Sequence, residues 1–160
     1  MEIISQTLDK LDFAILTELQ KDGRKSFTDI AHSLKVSVGT VRNRYNVLIK
    51  NHTLTIIGRV DPEKIGFHAY AHIFIKVRPV TELENVAGKI AKFPEVSFLA
   101  MTTGQYDLEV NVQCRTNDHL IKLMDERIHK IRGVFETQTN MYLRVFKIAQ
   151  PDLNLIKSKP

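Results

Sequence analysis

The third of three predicted helices, residues 38–50, carries side chains of the types that contact DNA. Asn and Thr can hydrogen-bond to base edges, a Val methyl can meet a thymine methyl, and Arg or Lys can hold phosphates on either wall of a groove. At 100° per residue, these side chains lie opposite the apolar stripe of the same helix or on its flanks. The candidate DNA-binding residues are Ser37, Gly39, Thr40, Arg42, Asn43, Arg44, Asn46, Val47 and Lys50.

Any exposed helix face is polar, so polarity alone does not indicate DNA binding. The charge of the surrounding sequence distinguishes a DNA-binding face from a face that only contacts water. The 160 residues carry a formal charge of +5, and residues 23–60 hold seven Lys and Arg against one acidic residue, Asp29. A basic block beside near-neutral sequence is typical of a surface that binds a polyanion. Gly39 would also let a phosphate approach the backbone N–H groups at the start of the helix. These features favour DNA binding.

A second candidate site is the turn at residues 103–108. A turn built on Gly104 exposes backbone N–H groups that can receive a carboxylate, and Asp107 can pair with an ammonium group. An amino acid carries both groups, and hydroxyls on the last predicted strand can approach the turn of a neighbouring subunit. The candidate effector-binding residues are Thr103, Gly104, Gln105, Tyr106, Asp107, Leu108, Thr137 and Thr139. The alternative is a plain hairpin in which Asp107 bonds its own backbone.

The sequence predicts no catalytic or metal site. His68 and His72 have i, i+4 spacing, but they lie on a predicted strand and lack the Glu of a zinc-protease helix. The sequence has no CxxC pair, phosphate-binding loop, dinucleotide fingerprint or nucleophile elbow. We therefore expect no enzyme activity, no catalytic residue, no metal and no cofactor other than an amino-acid effector.

The single cysteine and the hydropathy pattern predict a cytoplasmic protein. Cys114 cannot form an internal disulfide and is expected to be a small buried hydrophobe in a reducing compartment. No apolar run approaches the roughly 18 residues of a membrane span. The first ten residues, MEIISQTLDK, lack the pattern of a secretory signal. We expect no membrane partner.

The periodicity of the first sixty residues predicts a helix-turn-helix. Apolar residues follow helical spacing over residues 8–19, and Ser26 and Ser37 are typical caps of a second and a third helix. Lys35-Val36 is a tight connection between these two helices, which is the pattern of the motif. The next segment, Leu54–Val60, is rich in β-forming residues.

The second half of the chain changes to the pattern of a sheet covered by helices. Strands are predicted at residues 68–77, 96–103, 108–114 and 134–148, and amphipathic helices near residues 83–91 and 120–131. The order is βαββαβ, a ferredoxin-like arrangement with helices on one face of an antiparallel sheet. Residues 151–160 have no clear assignment. The fold class is α+β.

The first of these strands has a face that favours a second copy of the chain as partner. Small and branched residues occupy one face of this strand. The opposite face carries His68, Tyr70, His72 and Phe74. Such an apolar strip is unfavourable in water, so we predict that these four residues form a dimer interface. A two-fold dimer would also match a palindromic DNA site.

Both halves of the chain carry short motifs in a characteristic order. Those of the first half are Leu8-Asp9, Leu11-Asp12, Ile15-Leu16, Leu19, Asp22-Gly23-Arg24, Ile30-Ala31, Ser37, Val41, Arg44 and Leu48. Those of the second half are the turn Thr103–Asp107, Gly133-Val134 and Thr137-x-Thr139. In their joint order these motifs resemble the Lrp/AsnC family of transcriptional regulators, also called leucine-responsive or feast/famine regulators. The chain departs from the family pattern at Leu48-Ile49 and at His52, near the end of the third helix.

The resemblance implies a winged helix-turn-helix (residues 1–53) and a β-linker (54–66). These lead to a βαββαβ effector-binding and oligomerisation domain (67–150) and a tail (151–160). It implies homodimers that assemble to tetramers or octamers, and a response to amino acids. The predicted function is a sequence-specific DNA-binding transcriptional regulator whose assembly and DNA affinity respond to an amino-acid effector. Two alternatives are a stand-alone amino-acid-binding oligomer and a ligand-independent DNA-binding architectural protein.

Overall fold

The computed structural model of the protein describes residues 8–157, and its elements form two units. The helical unit contains residues up to Arg59 together with those from Ile148 onward, and the sheet unit contains Val60–Lys147. Residues 1–7 of the predicted first domain and 158–160 of the predicted tail lie outside the described residues. Between residues 8 and 157, no helix is both long and apolar enough to cross a membrane.

The main elements follow the chain as three helices, then the sheet with its helices, then a short C-terminal turn of helix. They are α1 (Lys10–Lys21), α2 (Phe27–Leu34), α3 (Val38–Lys50), β1 (Ala69–Val77), α4 (Leu83–Ile90), β2 (Val96–Met101), β3 (Leu108–Cys114), α5 (Asn117–Lys122), β4 (Val134–Met141) and α6 (Asn154–Lys157).

Side-chain caps begin the three helices of the helical unit at the predicted places. Asp9 and Asp12 form a reciprocal capping box at the start of α1. Ser26 and Ser37 accept backbone N–H bonds at the starts of α2 and α3. Lys35 adopts the left-handed conformation with φ of 55°, which turns the chain between α2 and α3 within a few residues. The predicted helix-turn-helix is confirmed.

One apolar cluster holds these three helices together. Its buried members are Ile15, Leu16, Leu19, Ile30, Ala31, Val41 and Leu48. They come from all three helices, so each helix contributes one stripe to a shared core. After α3 the chain turns at His52, whose φ of 59° is the left-handed conformation usually taken by Gly.

The predicted wing and β-linker do not form a strand within the single chain. Residues 54–60 pair with no strand among residues 8–157, although their composition favours one. Leu54 packs against the core of the helical unit and Ile56 packs beside Gly23, whereas Ile57 and Val60 are exposed. A β-rich segment forms a strand only when a neighbouring strand accepts its backbone hydrogen bonds, and none is provided in residues 8–157.

The sheet unit has the predicted βαββαβ order. Its four antiparallel strands lie in the order β2-β3-β1-β4, so β1 and β3 are central. Ile73 pairs with Val110 on one side and with Thr139 on the other, and Ile75 pairs with Leu108 and Thr137. Because directly paired residues share a face, these side chains lie on the helix-covered face of the sheet.

Two helices cover that face. α4 buries Val86 and Ile90, and α5 continues into a π-helical turn, Leu123–Ile128, whose apolar residues join the same core. The helical segment ends at Ile128, and Gly133, with φ of 102°, leads the chain into β4. Cys114 is fully buried in the core, and burial raises the pKa of its thiol to about 11.

The last strand is shorter than predicted. β4 ends at Met141, and the following Tyr142 N–H donates to Tyr70 O at 2.9 Å. β1 begins at Ala69, which stands opposite residue 143, so residues 144–148 run past the end of this neighbour and pair with no strand among residues 8–157. Leu143 and Phe146 are exposed. Similarly, β2 ends at Met101 rather than at residue 103.

Candidate DNA interface and effector site

The exposed side of α3 carries most of the residues predicted to contact DNA. Val41 and Leu48 are buried, whereas the side chains opposite and beside them are exposed. The exposed candidates are Ser37, Gly39, Arg42, Asn43, Asn46, Val47 and Lys50. Arg42 and Lys50 form no ion pair within residues 8–157, so their charges remain available to a polyanion.

Ser37 and Thr40 serve the helix itself. Ser37 Oγ accepts the Thr40 N–H at 3.0 Å and lies 2.8 Å from Thr40 Oγ1. The two side chains therefore satisfy each other at the start of α3. A direct contact with DNA would have to share these groups.

Arg44 differs from the other candidates because acidic groups of α1 already hold it. Its Nη1 lies 2.9 Å from Asp9 Oδ2 and 3.3 Å from both carboxylate oxygens of Asp12. Asp12 is buried, and this contact joins α3 to the start of α1. The backbone N–H of Asp12 and then the guanidinium of Arg44 lower the pKa of Asp9. Arg44 therefore positions α3, and the sequence alone did not show its two partners.

The turn between β2 and β3 exposes the residues predicted to hold an effector. Thr103, Gly104 and Gln105 are exposed, and Gly104 has φ of 116°. At the base of the turn, Thr102 N–H donates to Asp107 O and Thr102 Oγ1 donates to Tyr106 O, both at 3.0 Å. These two hydrogen bonds hold the base of the turn, and the exposed residues 103–105 form its tip.

Asp107 extends the pairing of β3 with β1. Its N–H donates to Ile75 O at 2.9 Å, and its Oδ2 accepts the Val77 N–H at 2.7 Å. Arg78 Nη1 lies 3.5 Å from the same Oδ2. The Asp107 carboxylate thus accepts the Val77 N–H in place of a backbone carbonyl, at the point where the regular pairing of β1 with β3 ends. The hairpin alternative was right that Asp107 bonds backbone, but the partner lies on another strand.

Leu108 has to be removed from the candidate effector site. Its side chain is buried in the core of the sheet unit and pairs with Ile75, because the strand alternation turns it toward the helices. No ligand at the turn can contact this side chain without opening the core.

The two threonines of β4 have different surroundings. Thr137 Oγ1 lies 3.0 Å from His129 Nε2, whereas Thr139 is exposed. β1 lies between β4 and β3, so within one chain neither threonine is on a strand next to the turn. Their predicted approach to the turn of a neighbouring subunit stays a prediction.

Tyr106 connects the turn to the opposite face of β4. Its hydroxyl lies 3.2 Å from Gln138 Oε1 and 3.4 Å from Glu136 Oε1, and its ring packs near Phe74. Burial and the Glu136 carboxylate raise the pKa of the Tyr106 phenol. Glu136 and Gln138 were not among the predicted site residues, although their alternation with Thr137 and Thr139 places them together on one face.

The helix-free face of the sheet carries the aromatic strip predicted for dimerisation. The Tyr70 ring lies 4.5 Å from that of Tyr142, and the His72 ring lies 4.1 Å from that of Phe74. His72 Nε2 also lies 3.0 Å from Glu109 Oε1. His68 precedes β1 and is exposed, its N–H donates to Arg115 O, and within residues 8–157 it forms no ring contact with the other three predicted interface residues.

Comparison with known proteins identifies both units. Residues 70–151 match the model of the Lrp/AsnC ligand binding domain, and residues 8–49 match that of the AsnC-type helix-turn-helix domain. The chain belongs to the Lrp/AsnC family. It is a DNA-binding transcriptional regulator and not an enzyme.

Relatives in archaea span nearly the same length as this Lrp/AsnC protein. An uncharacterized HTH-type transcriptional regulator of Pyrococcus horikoshii is 34% identical over 141 residues, which cover 88% of this chain and 89% of the relative. An HTH-type transcriptional regulator of Methanocaldococcus jannaschii is 31% identical, covering 88% and 95%.

Solved structures of Lrp/AsnC regulators share the fold. Escherichia coli AsnC has a TM-score of 0.84 at 24% identity, covering 90% of this chain and 97% of its own. A transcriptional regulator of Neisseria meningitidis in complex with L-Met has a TM-score of 0.85 at 22% identity, covering 94% and 99%.

Proposed function

We propose that this Lrp/AsnC regulator reads specific DNA sequences as a homodimer and responds to a small amino acid. The observation that carries the proposal is the exposed face of α3, where Asn43, Asn46 and Val47 lie beside the unpaired cations Arg42 and Lys50. Amides and methyls suit base edges, whereas the cations suit phosphates, so one helix face offers both kinds of contact.

The DNA part of the proposal is tested by separating base contacts from phosphate contacts. We expect Asn43→Ala and Asn46→Ala to reduce the preference for operator over random DNA, because each base contact contributes about 1–3 kcal/mol of discrimination. Arg42→Ala should weaken binding to all sequences and lower the salt slope of log K by about one. The exposed Asn117, on α5 in the sheet unit, provides the control Asn117→Ala.

Mobility-shift titrations on operator and random DNA at several salt concentrations give both quantities. An equal loss on both DNAs for the Asn variants would mean that this face of α3 does not read bases.

The effector part rests on groups at the turn that the chain leaves unsatisfied. Within residues 8–157, the backbone N–H groups of Thr103, Gly104 and Gln105 donate to no protein acceptor. They can receive a carboxylate, and the Oδ1 atom of Asp107 remains for an ammonium group because Oδ2 holds Val77 and Arg78. The related fold of the Neisseria meningitidis regulator was solved with L-Met, an amino acid of this chemistry.

Replacement of Asp107 by Asn tests the site without breaking the strand pairing, because the amide oxygen can still accept the Val77 N–H. We expect Asp107→Asn to weaken amino-acid binding by roughly tenfold or more, since a charge-assisted hydrogen bond is lost. The control is Asp118→Asn, at an exposed Asp in the first turn of α5. Calorimetric titration with each of the twenty amino acids measures binding.

Amino-acid binding that is unchanged in Asp107→Asn would place the site elsewhere. DNA binding that no amino acid alters would indicate a ligand-independent architectural protein. Amino-acid binding without any DNA binding would indicate a stand-alone oligomer.

The assembly part rests on the aromatic strip of Tyr70, His72, Phe74 and Tyr142. It lies on the face of the sheet that neither α4 nor α5 covers, and a second copy can cover it with its own equivalent strip. Assembly of such dimers to tetramers or octamers would then bring the threonines of β4 toward another copy's turn.

A further inference from the structure

The segment after β4 returns to the helical unit. Gln20 Nε2, on α1, donates to Pro151 O at 2.7 Å, and Leu153 packs against the core of the same unit. The hydrogen bond joins residues 131 positions apart. They lie at and beyond the end of the family match, which stops at residue 151.

A local cap orients Leu153 toward that core. Asp152 Oδ1 accepts the Asn154 N–H at 2.9 Å, and Asp152 O accepts the Leu155 N–H at 3.1 Å. The short turn of α6 that follows places Leu153 inward, whereas the Leu155 side chain is 76% exposed. Two leucines two residues apart therefore have opposite surroundings, which gives a matched pair for experiment.

The return of the chain gives the helical unit two covalent connections to the sheet unit. One is the segment after α3, and the other is residues 142–150, which follow β4 directly. A unit attached through one linker can reorient freely, whereas two attachments restrict its orientation strongly.

We propose that residues 151–156 form a C-terminal latch on the helical unit. We further propose that residues 142–150 are a second tether, which limits how the α3 helices of a dimer are placed on DNA. The latch rests on contacts within one chain. The effect of the tether on DNA rests on the proposed dimeric, sequence-specific function.

Hydrogen exchange of the full-length protein tests the latch without DNA or amino acid. In Leu153→Ser, we expect the amides of the C-terminal half of α1 to exchange about tenfold faster, because a half-buried leucine contact is lost. Leu155→Ser should leave α1 exchange as in the unmodified chain. Amides of β1 and β3 should be unchanged in both variants and report that the sheet unit remains folded.

The milder Leu153→Ala should give a smaller acceleration in the same peptides. Unchanged α1 exchange in both Leu153 variants, or equal acceleration in Leu155→Ser, would overturn the latch.

Lengthening the tether tests its effect on DNA. Insertion of Gly-Ser-Gly-Ser after Ala149 leaves both β4 and the latch residues in place. Binding is measured on DNA with one half-site and on DNA with two half-sites at a series of spacings. We expect the unmodified protein to prefer one spacing by tenfold or more, and the insertion variant to bind all spacings within about threefold, with equal affinity for a single half-site.

An identical spacing preference in the insertion variant, or no preference in the unmodified protein, would overturn the tether. Failure to distinguish half-site DNA from random DNA would instead contradict the proposed function and would leave the exchange result standing.

Discussion

Two arginines on α3, two positions apart, have different surroundings and should therefore have different roles. Arg42 is exposed and unpaired within the described chain, whereas Arg44 contacts both carboxylates at the start of α1. A residue that neutralises a phosphate contributes to the salt dependence of binding, and a residue engaged with its own protein does not. The salt slope of DNA binding therefore distinguishes an arginine that contacts phosphate from one that only positions α3.

We expect Arg44→Ala to weaken operator and random DNA equally without changing the salt slope, and to lower the thermal stability of the helical unit. Removal of the guanidinium leaves the buried Asp12 carboxylate without its cation, which typically costs more than the ion pair contributes. Thermal melts and salt-dependent titrations of Arg44→Ala, with Arg42→Ala as the reference, measure both effects. A fall of about one in the salt slope of Arg44→Ala would show that Arg44 contacts phosphate.

The helices of both units show which elements are determined locally. Caps and stop signals such as Ser26, Ser37 and Gly133 act within a few residues, so the bounds of α2 and α3 follow from sequence. The end of β4 depends on where β1 begins, and a strand at residues 54–60 needs a partner that the chain does not provide. Such features depend on distant residues and cannot be derived from a local pattern.

The residues of the candidate sites also divide into those that a local pattern predicts and those that depend on residues distant in sequence. The exposed face of α3 follows from helical periodicity alone, so its residues were predictable. The partners of Arg44 and Asp107 lie about thirty residues away or more in sequence, and the contact of Pro151 with Gln20 spans nearly the whole chain. The local pattern therefore predicted where the charged groups lie along the chain, but not which partners the fold gives them.

At the scale of elements, Gly133 lies directly before β4, where the backbone packs closely against α4 and the residue that precedes α4. A Cβ there would lie 2.8 Å from Glu82 Cβ and 3.0 Å from Val86 Cγ2, and the positive φ adds strain. We expect Gly133→Ala to destabilise the sheet unit by about 2–4 kcal/mol, from strain plus overpacking. Gly66→Ala is the control: φ is 98°, but nothing lies within 4 Å, so about 1–2 kcal/mol is expected.

Chemical denaturation followed by far-UV circular dichroism compares the two glycine variants. Equal losses of stability would mean that α4 moves away from residue 133 at little cost, and that backbone strain alone determines the effect.

At the scale of the whole molecule, we propose that the aromatic strip on the uncovered sheet face forms the dimer interface. We expect Phe74→Glu to lower the mass in solution to that of the monomer or to cause aggregation, because a buried charge without a partner opposes association. Ile121→Glu is the control, since this exposed residue lies on α5, away from the strip. Light scattering of both variants, with circular dichroism to verify folding, measures the result.

An unchanged mass for a folded Phe74→Glu would exclude this strand face from the interface. Loss of the dimer should also lower operator affinity, because a single half-site then has to carry the binding.

The buried thiol of Cys114 makes this molecule convenient for distance measurements. With a pKa of about 11, only about one thiol in a thousand is ionised at pH 8, and the side chain has no solvent access in the folded state. Since it is the only cysteine of the chain, a new cysteine on α3 or near Leu155 can carry a fluorophore or spin label while the native one stays unlabelled. Movements of the DNA-reading helices can then be followed in a protein with a single substitution.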